Sequence, residues 1–176
     1  MWLKSQLFSG ILTGMTTNWL SADQQRVWRA YLVGTTLLMD RLERDLRDSH
    51  DLSLPEYEIL VRLSEAPERR LRMAELASSV KNSRSRITHT IARMEREGLV
   101  ARRQCASDGR GVFAALTDAG YAKLVATAPA HVASVREGLI DAVAPADLEA
   151  VGRAFTAVAT RLETGAPDPI LSPTSV

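Results

Sequence analysis

The sequence lacks the features of several protein classes. Its 176 residues contain one cysteine, which excludes an internal disulfide and favours a reducing, cytoplasmic location. No apolar run reaches the roughly 18 residues that a membrane-spanning helix needs, so we expect no membrane partner. The three histidines are scattered, and no metal-protease, P-loop or dinucleotide-binding motif occurs. We therefore predict neither an enzyme nor a cofactor.

Charge is nearly balanced over the whole chain but is unevenly distributed. The formal net charge is only +1, from 22 basic and 21 acidic residues. Between Lys81 and Arg110, however, eight basic residues accompany only three acidic ones. Such a local excess is typical of a surface that binds the phosphates of a nucleic acid.

One stretch within this basic region, from Ser83 to Gly98, has the pattern of an amphipathic helix. Ile87, Ile91 and Met94 recur at the spacing of a single apolar stripe. Ser83 can cap the start of the helix, and Gly98 can supply its left-handed exit. The remaining faces carry hydroxyl, imidazole and guanidinium groups, which pair with base edges in the DNA major groove. Taken alone, the stretch is equally compatible with a basic helix that only faces solvent.

The neighbouring segments favour the DNA-binding interpretation. A capping box at Ser53 to Glu56 starts a helix, and Asp108-Gly109 is typical of a tight turn between two strands. The segments predicted in this region are, in order, a helix that starts at Ser53–Glu56 and ends at Ala66-Pro67, a short strand 71–73, helix 74–80, the Ser83 helix, and strands 99–103 and 111–116. This order predicts a helix-turn-helix followed by a β-hairpin wing.

Long helices are predicted on both sides of this segment. A capping box at Ser21 begins a helix that reaches about Ser49, and its apolar stripe is too long for one small domain to cover. We therefore expect it to meet helices of a second subunit. A later helical segment, 119–144, should kink or divide near Ala128 because Pro129 follows. A last helix is predicted over 146–163.

The fold class that follows is mainly α with a small β-hairpin wing. We predict a winged helix-turn-helix domain at 51–117 and a helical dimerisation arm formed by 21–50 and 118–163. Residues 1–20 are expected to be a flexible N-terminal extension, and residues 164–176 a flexible tail.

The order and spacing of these segments resemble those of the MarR (multiple antibiotic resistance regulator) family of winged-helix repressors. The resemblance covers about residues 23–163. Three segments carry it: L-R-M-A-E-L-A at 71–77, S-R-S-R-I-T-H-T-I-A-R-M-E-R-E-G-L-V at 83–100, and D-G-R-G-V-F-A-A-L-T-D-A-G at 108–120. It implies an obligate homodimer with interlocked first and last helices and a winged helix on each side.

The resemblance also assigns DNA-binding residues. It places seven residues in the recognition-helix region: Ser83, Arg84, Ser85, Arg86, Thr88, His89 and Arg93. In the wing, Asp108 would orient basic residues, and Arg110 would enter the minor groove. We further expect phosphate contacts from Lys81, Arg102 or Arg103.

The expected function is sequence-specific binding to a double-stranded DNA operator. Two recognition helices related by a two-fold axis should read a pseudo-palindrome with half-sites roughly 10 bp apart. We expect a repressor that a small aromatic or amphipathic effector releases. The resemblance places the effector pocket between the helical arm and the winged helix, and the candidate lining residues are Trp28, Tyr31, His50, Tyr57 and His131.

Two other functions stay open at this point. Cys105 lies beside two arginines that would favour its thiolate, so a redox-sensing regulator is one alternative. A winged-helix module that binds proteins and not DNA is the other. The basic region argues against this second alternative.

The wing assignment makes a direct prediction. Replacing Arg110 by alanine should weaken operator binding roughly tenfold or more, because a guanidinium in the narrow minor groove meets a strongly negative potential. A titration at fixed salt measures this effect. Unchanged affinity would argue against the wing role.

Overall fold

The computed structural model describes residues 18–81, 83–104 and 111–163, without the side chain of Arg84. Within these ranges the elements are, in chain order, α1 (Ala22–His50), α2 (Leu54–Glu65), β1 (Arg70–Arg72), α3 (Met73–Ser79), α4 (Arg84–Arg96), β2 (Val100–Gln104), β3 (Val112–Leu116), α5 (Asp118–Val135) and α6 (Pro145–Leu162). A 3₁₀ turn precedes β1, and one π-helical turn, Arg136–Ile140, follows α5. The prediction of a mainly α fold with a small β wing is confirmed.

The chain divides into two compact units, residues 1–37 and 38–176. The described part of the first unit is the N-terminal half of α1. Its start is capped as predicted, because the Gln24 N–H donates to Ser21 Oγ and the Ser21 N–H donates to Gln24 Oε1. On this half-helix Trp28 and Tyr31 stack with their ring centroids 5.6 Å apart.

The second unit contains the hydrophobic core, built from α2, α3, α4, the strands and the start of α5. The residues that the core buries most completely include Leu52, Ile59, Leu60, Leu63, Leu76, Ile87, Ile91, Met94, Val100 and Ala114. The three apolar residues predicted to form the buried stripe of α4 are all among them. Burial of this stripe fixes which face of α4 remains outside the core.

The sheet is antiparallel with strand order β1-β3-β2. In the β2–β3 hairpin, Val100 pairs with Leu116 and Gln104 with Val112. The predicted strand 71–73 is shifted by one residue, because Met73 is already the first residue of α3. The Arg72 N–H donates to the Glu75 carboxylate, and this hydrogen bond starts the helix one residue early.

The expected division near Ala128 is wrong, because α5 continues through Pro129 to Val135. Pro129 is exposed, and so is Val125, the residue whose carbonyl loses its helical donor. Water can hydrogen-bond that carbonyl, so the helix tolerates the proline. None of the described helices is long and apolar enough to span a membrane.

The contact between α5 and the end of α4 can be tested by two matched glycine substitutions. A Cβ added at Gly120 would overlap the Leu99 carbonyl oxygen and lie 2.8 Å from Leu116 Cδ1. Gly120→Ala should therefore lower the free energy of unfolding by about 1–3 kcal/mol in urea denaturation. The control, Gly152→Ala in α6, meets no atom within 4 Å and should raise it by about 0.5–1 kcal/mol. Equal effects would contradict the close α5 contact.

Candidate nucleic-acid-binding surface

Helix α4 has sharply defined ends. Ser83 Oγ accepts a hydrogen bond from the Arg86 N–H, which caps the first turn. At the other end Gly98 has a φ of 75°, the Gly98 N–H donates to the Glu95 carbonyl, and the Leu99 N–H donates to the Met94 carbonyl. This is a Schellman motif, and it confirms the predicted left-handed exit. The helix is therefore a short rod with both ends hydrogen-bonded.

The face of α4 that points away from the core is polar and exposed. Its side chains are those of Ser85, Arg86, Thr88 and His89, all exposed. These four were predicted as DNA contacts, and the structure places them side by side on one surface. The face can donate and accept hydrogen bonds and carries positive charge, which suits base edges in a major groove.

Arg93 is placed differently from those four residues. Its Nε donates to Glu56 Oε1 at 2.6 Å, and a second guanidinium nitrogen lies 2.5 Å from the same oxygen. The Glu56 side chain is only 2% exposed, and its other oxygen accepts from the Ser53 N–H and Ser53 Oγ. Burial opposes ionisation of Glu56, but the hydrogen bonds from Ser53 and Arg93 outweigh it and lower its pKa.

Arg102, at the base of the wing, is also paired with a carboxylate. Glu95 on α4 accepts from the Arg102 backbone N–H at 3.0 Å and from its Nε at 2.7 Å. These two hydrogen bonds lower the pKa of the half-buried Glu95 carboxyl. The pair joins strand β2 to α4.

Lys81 lies in the turn before α4 with a left-handed φ of 51°. Its Nζ lies 2.9 Å from Glu163 Oε1, just beyond the end of α6. The Lys81 ammonium group, predicted to contact a phosphate, is therefore already paired with a carboxylate, although half of the lysine side chain remains exposed. A pair this exposed on the lysine side is weak and can exchange for a phosphate.

Arg103, the third predicted phosphate contact, has no carboxylate partner among the described residues. It is exposed on β2, directly across the ladder from Phe113, and no acidic side chain of the described ranges lies within salt-bridge distance. The remaining predicted contacts, the side chains of Arg84, Asp108 and Arg110, lie outside the described residues. Cys105 lies outside them as well.

Sequence reasoning missed the acidic partners of this surface. Glu56, Glu95 and Glu163 each bind one of the predicted basic residues. The capping box identified Glu56 as a helix-start residue, but no sequence signal linked it to Arg93, 37 positions away. The basic region is consequently less positive at its surface than its composition indicates.

A cavity of about 110 Å³ lies between the C-terminal half of α1 and α5. Its lining consists of Asp45, Leu46, Ser49, His50, Ala130, His131 and Ser134. Two predicted effector residues, His50 and His131, are therefore adjacent, and Tyr57 contacts the His131 ring at a centroid distance of 4.3 Å. The other two predicted effector residues, Trp28 and Tyr31, stack on each other in the first unit.

The cavity carries polar groups of defined character. Ser134 Oγ donates to Asp45 Oδ2 at 2.7 Å, and this hydrogen bond lowers the pKa of Asp45. Burial lowers the pKa of His131, whose Nδ1 is buried with no partner among the described residues. The described side chains contain no group of three metal ligands. The site is suited to a small organic molecule with a hydrogen-bonding group.

Comparison with known proteins gives a consistent result. The model of the MarR family matches residues 52–112. A MarR family transcriptional regulator of Streptomyces coelicolor, crystallised in complex with DNA, is 44% identical, with 86% of this chain and 98% of that chain covered and a TM-score of 0.81. No match was found among curated protein sequences.

Two further solved structures are similar. AbsC, a MarR family transcriptional regulator of S. coelicolor, is 44% identical over 83% of this chain and 98% of its own, with a TM-score of 0.79. BpsR of Bordetella bronchiseptica, whose DNA binding is regulated by 6-hydroxynicotinic acid, is 16% identical over 76% of this chain and 98% of its own, with a TM-score of 0.67. This last likeness is one of fold alone.

Proposed function

The chain belongs to the MarR family of transcriptional regulators, and from this premise we propose that it is a homodimeric repressor of double-stranded DNA operators. The resemblance seen in the sequence is thereby confirmed. Members of the family regulate transcription and are not enzymes, so no catalytic residue is assigned. Because its proposed partner is chromosomal DNA, we place its action in the cytoplasm.

The observation that carries the DNA-binding proposal is the exposed face of α4. Ser85, Arg86 and His89 point away from the core on a helix whose ends are both hydrogen-bonded. Such a helix can enter a major groove without fraying, and its side chains can pair with base edges. Arg103 supports the proposal, since an exposed guanidinium beside the reading helix can neutralise a phosphate.

The proposed dimer is supported by apolar surface that a single chain leaves exposed. In the first unit Val27 is 71% exposed, and Trp28 and Leu37 are also exposed. In the second unit Val158 is 53% and Leu162 72% exposed along one side of α6. Exposed apolar surface on each unit favours an interaction site, and two-fold symmetry is the commonest way to cover such surface.

The proposed release by a small ligand is supported by the cavity between α1 and α5. Its histidines and the Asp45–Ser134 pair can orient a polar group, while Leu46 and Ala130 supply apolar contacts. A volume of about 110 Å³ restricts the occupant to a small ligand or to part of a larger one. We infer a small aromatic or amphipathic effector.

Selection from random duplexes tests the DNA-binding proposal. The full chain should enrich a two-fold symmetric sequence with half-sites roughly 10 bp apart and bind it with a Kd on the order of 10⁻⁸ M or tighter. Equal binding to every duplex, with no enriched sequence, would contradict the proposal. Loss of the complex in a mobility-shift assay measures any candidate effector.

The dimer proposal predicts opposite outcomes for two charges placed on α6. Val158→Glu puts a carboxylate on the exposed apolar side and should shift the protein from twice the chain mass of 19.3 kDa towards one chain in analytical ultracentrifugation. Thr160→Glu adds the same charge nearly opposite on the helix and should leave the mass unchanged. A monomeric parent protein, or equal effects of the two substitutions, would contradict the interface.

A further inference from the structure

The Arg93 guanidinium is paired with the buried carboxylate of Glu56. Neither a base-reading role nor a solvated surface position of Arg93 explains this pairing. We infer that Arg93 and Glu56 are a positioning pair that fixes the orientation of α4 for DNA reading, and that Arg93 itself does not contact DNA. This inference rests on the proposed DNA-binding function. It assigns to Arg93 and Glu56 an indirect role in determining which DNA sequence the protein prefers.

The pair occupies one edge of the Arg93 guanidinium, and the Arg93 side chain as a whole is 41% exposed. The guanidinium is held on Glu56 through two nitrogens, and one of its nitrogens also lies 3.5 Å from Ser53 Oγ. Charge-assisted hydrogen bonds to a carboxylate are among the strongest in proteins. If Arg93 turned towards DNA, Glu56 would be left buried and charged without its cation, and that state is strongly unfavourable.

The pair connects α4 to the first turn of α2 and, through it, to two more helices. The Leu54 N–H at the start of α2 donates to Glu43 Oε2 of α1 at 2.6 Å. Tyr57, the residue after Glu56, contacts His131 of α5. Burial of Ile87, Ile91 and Met94 sets which face of α4 points into the core. The ion pair supplies a directional restraint on the flank of the helix.

Replacing Glu56 separates the two roles of Arg93, because only the positioning role predicts weaker operator binding. Glu56→Gln keeps an acceptor for the capping box but removes the negative charge that holds Arg93. If Arg93 positions α4, this substitution weakens operator binding. If Arg93 contacts DNA, the substitution releases its guanidinium and leaves binding unchanged or tighter.

The experiment compares Glu56→Gln, Arg93→Gln and the double variant by fluorescence anisotropy on the selected duplex and on a scrambled duplex. Each single variant should lose roughly tenfold affinity for the selected duplex and little for the scrambled one, and the double variant should be no weaker than Arg93→Gln. Arg96→Gln is the matched control, because it removes a charge from the same helix. Arg96 is exposed, and its Nε donates to the Ala92 carbonyl of its own helix. It should change affinity for both duplexes equally.

Two outcomes would overturn the inference. One is unchanged or tighter operator binding by Glu56→Gln. The other is a fall of about one in the salt-dependence slope for Arg93→Gln, which indicates a lost phosphate contact. Should Glu56→Gln fail to fold, selection is repeated with Arg93→Gln: the same preferred sequence supports positioning, and a changed base at one position overturns it. If the function proposal itself fails, the parent protein selects no sequence at all.

Discussion

The structure depends on how one buried carboxylate is satisfied. Glu56 is out of water, and a charge in that position is tolerated only when hydrogen-bond donors surround it. Ser53 supplies two of them from its own helix start, and Arg93 supplies the rest from α4. The same carboxylate therefore caps the start of α2 and orients α4. The exposed face of α4 is held in place by a contact on its flank.

Two other carboxylates of this surface also bind basic residues that were predicted to contact DNA. Glu95 ties the wing to α4 through Arg102, and Glu163 reaches Lys81 at the turn before α4. Basic residues of the region thus fall into those that hold the domain together and those that face solvent. Tyr57, in the first turn of α2, contacts His131 of the cavity lining, so the α2 residues that hold Arg93 are one contact away from the cavity.

Local patterns predicted local structure well. Apolar spacing identified the buried side of α4, and the capping residues and Gly98 marked helix ends correctly, because neighbours in sequence determine these features. Contacts between distant residues had no such signal. Arg93 has the same residue type and helical register as a base-reading arginine, and only the fold brings Glu56 beside it. Pro129 was misjudged because its exposure, which decides the cost of the lost hydrogen bond, depends on packing.

A crystal structure of the full chain bound to its selected duplex would show directly whether Arg93 positions α4 or binds DNA. We expect two chains per duplex, with Ser85, Arg86 and His89 at base edges and the Arg93 guanidinium still on Glu56. An Arg93 that has left Glu56 for a base or a phosphate would contradict the positioning role.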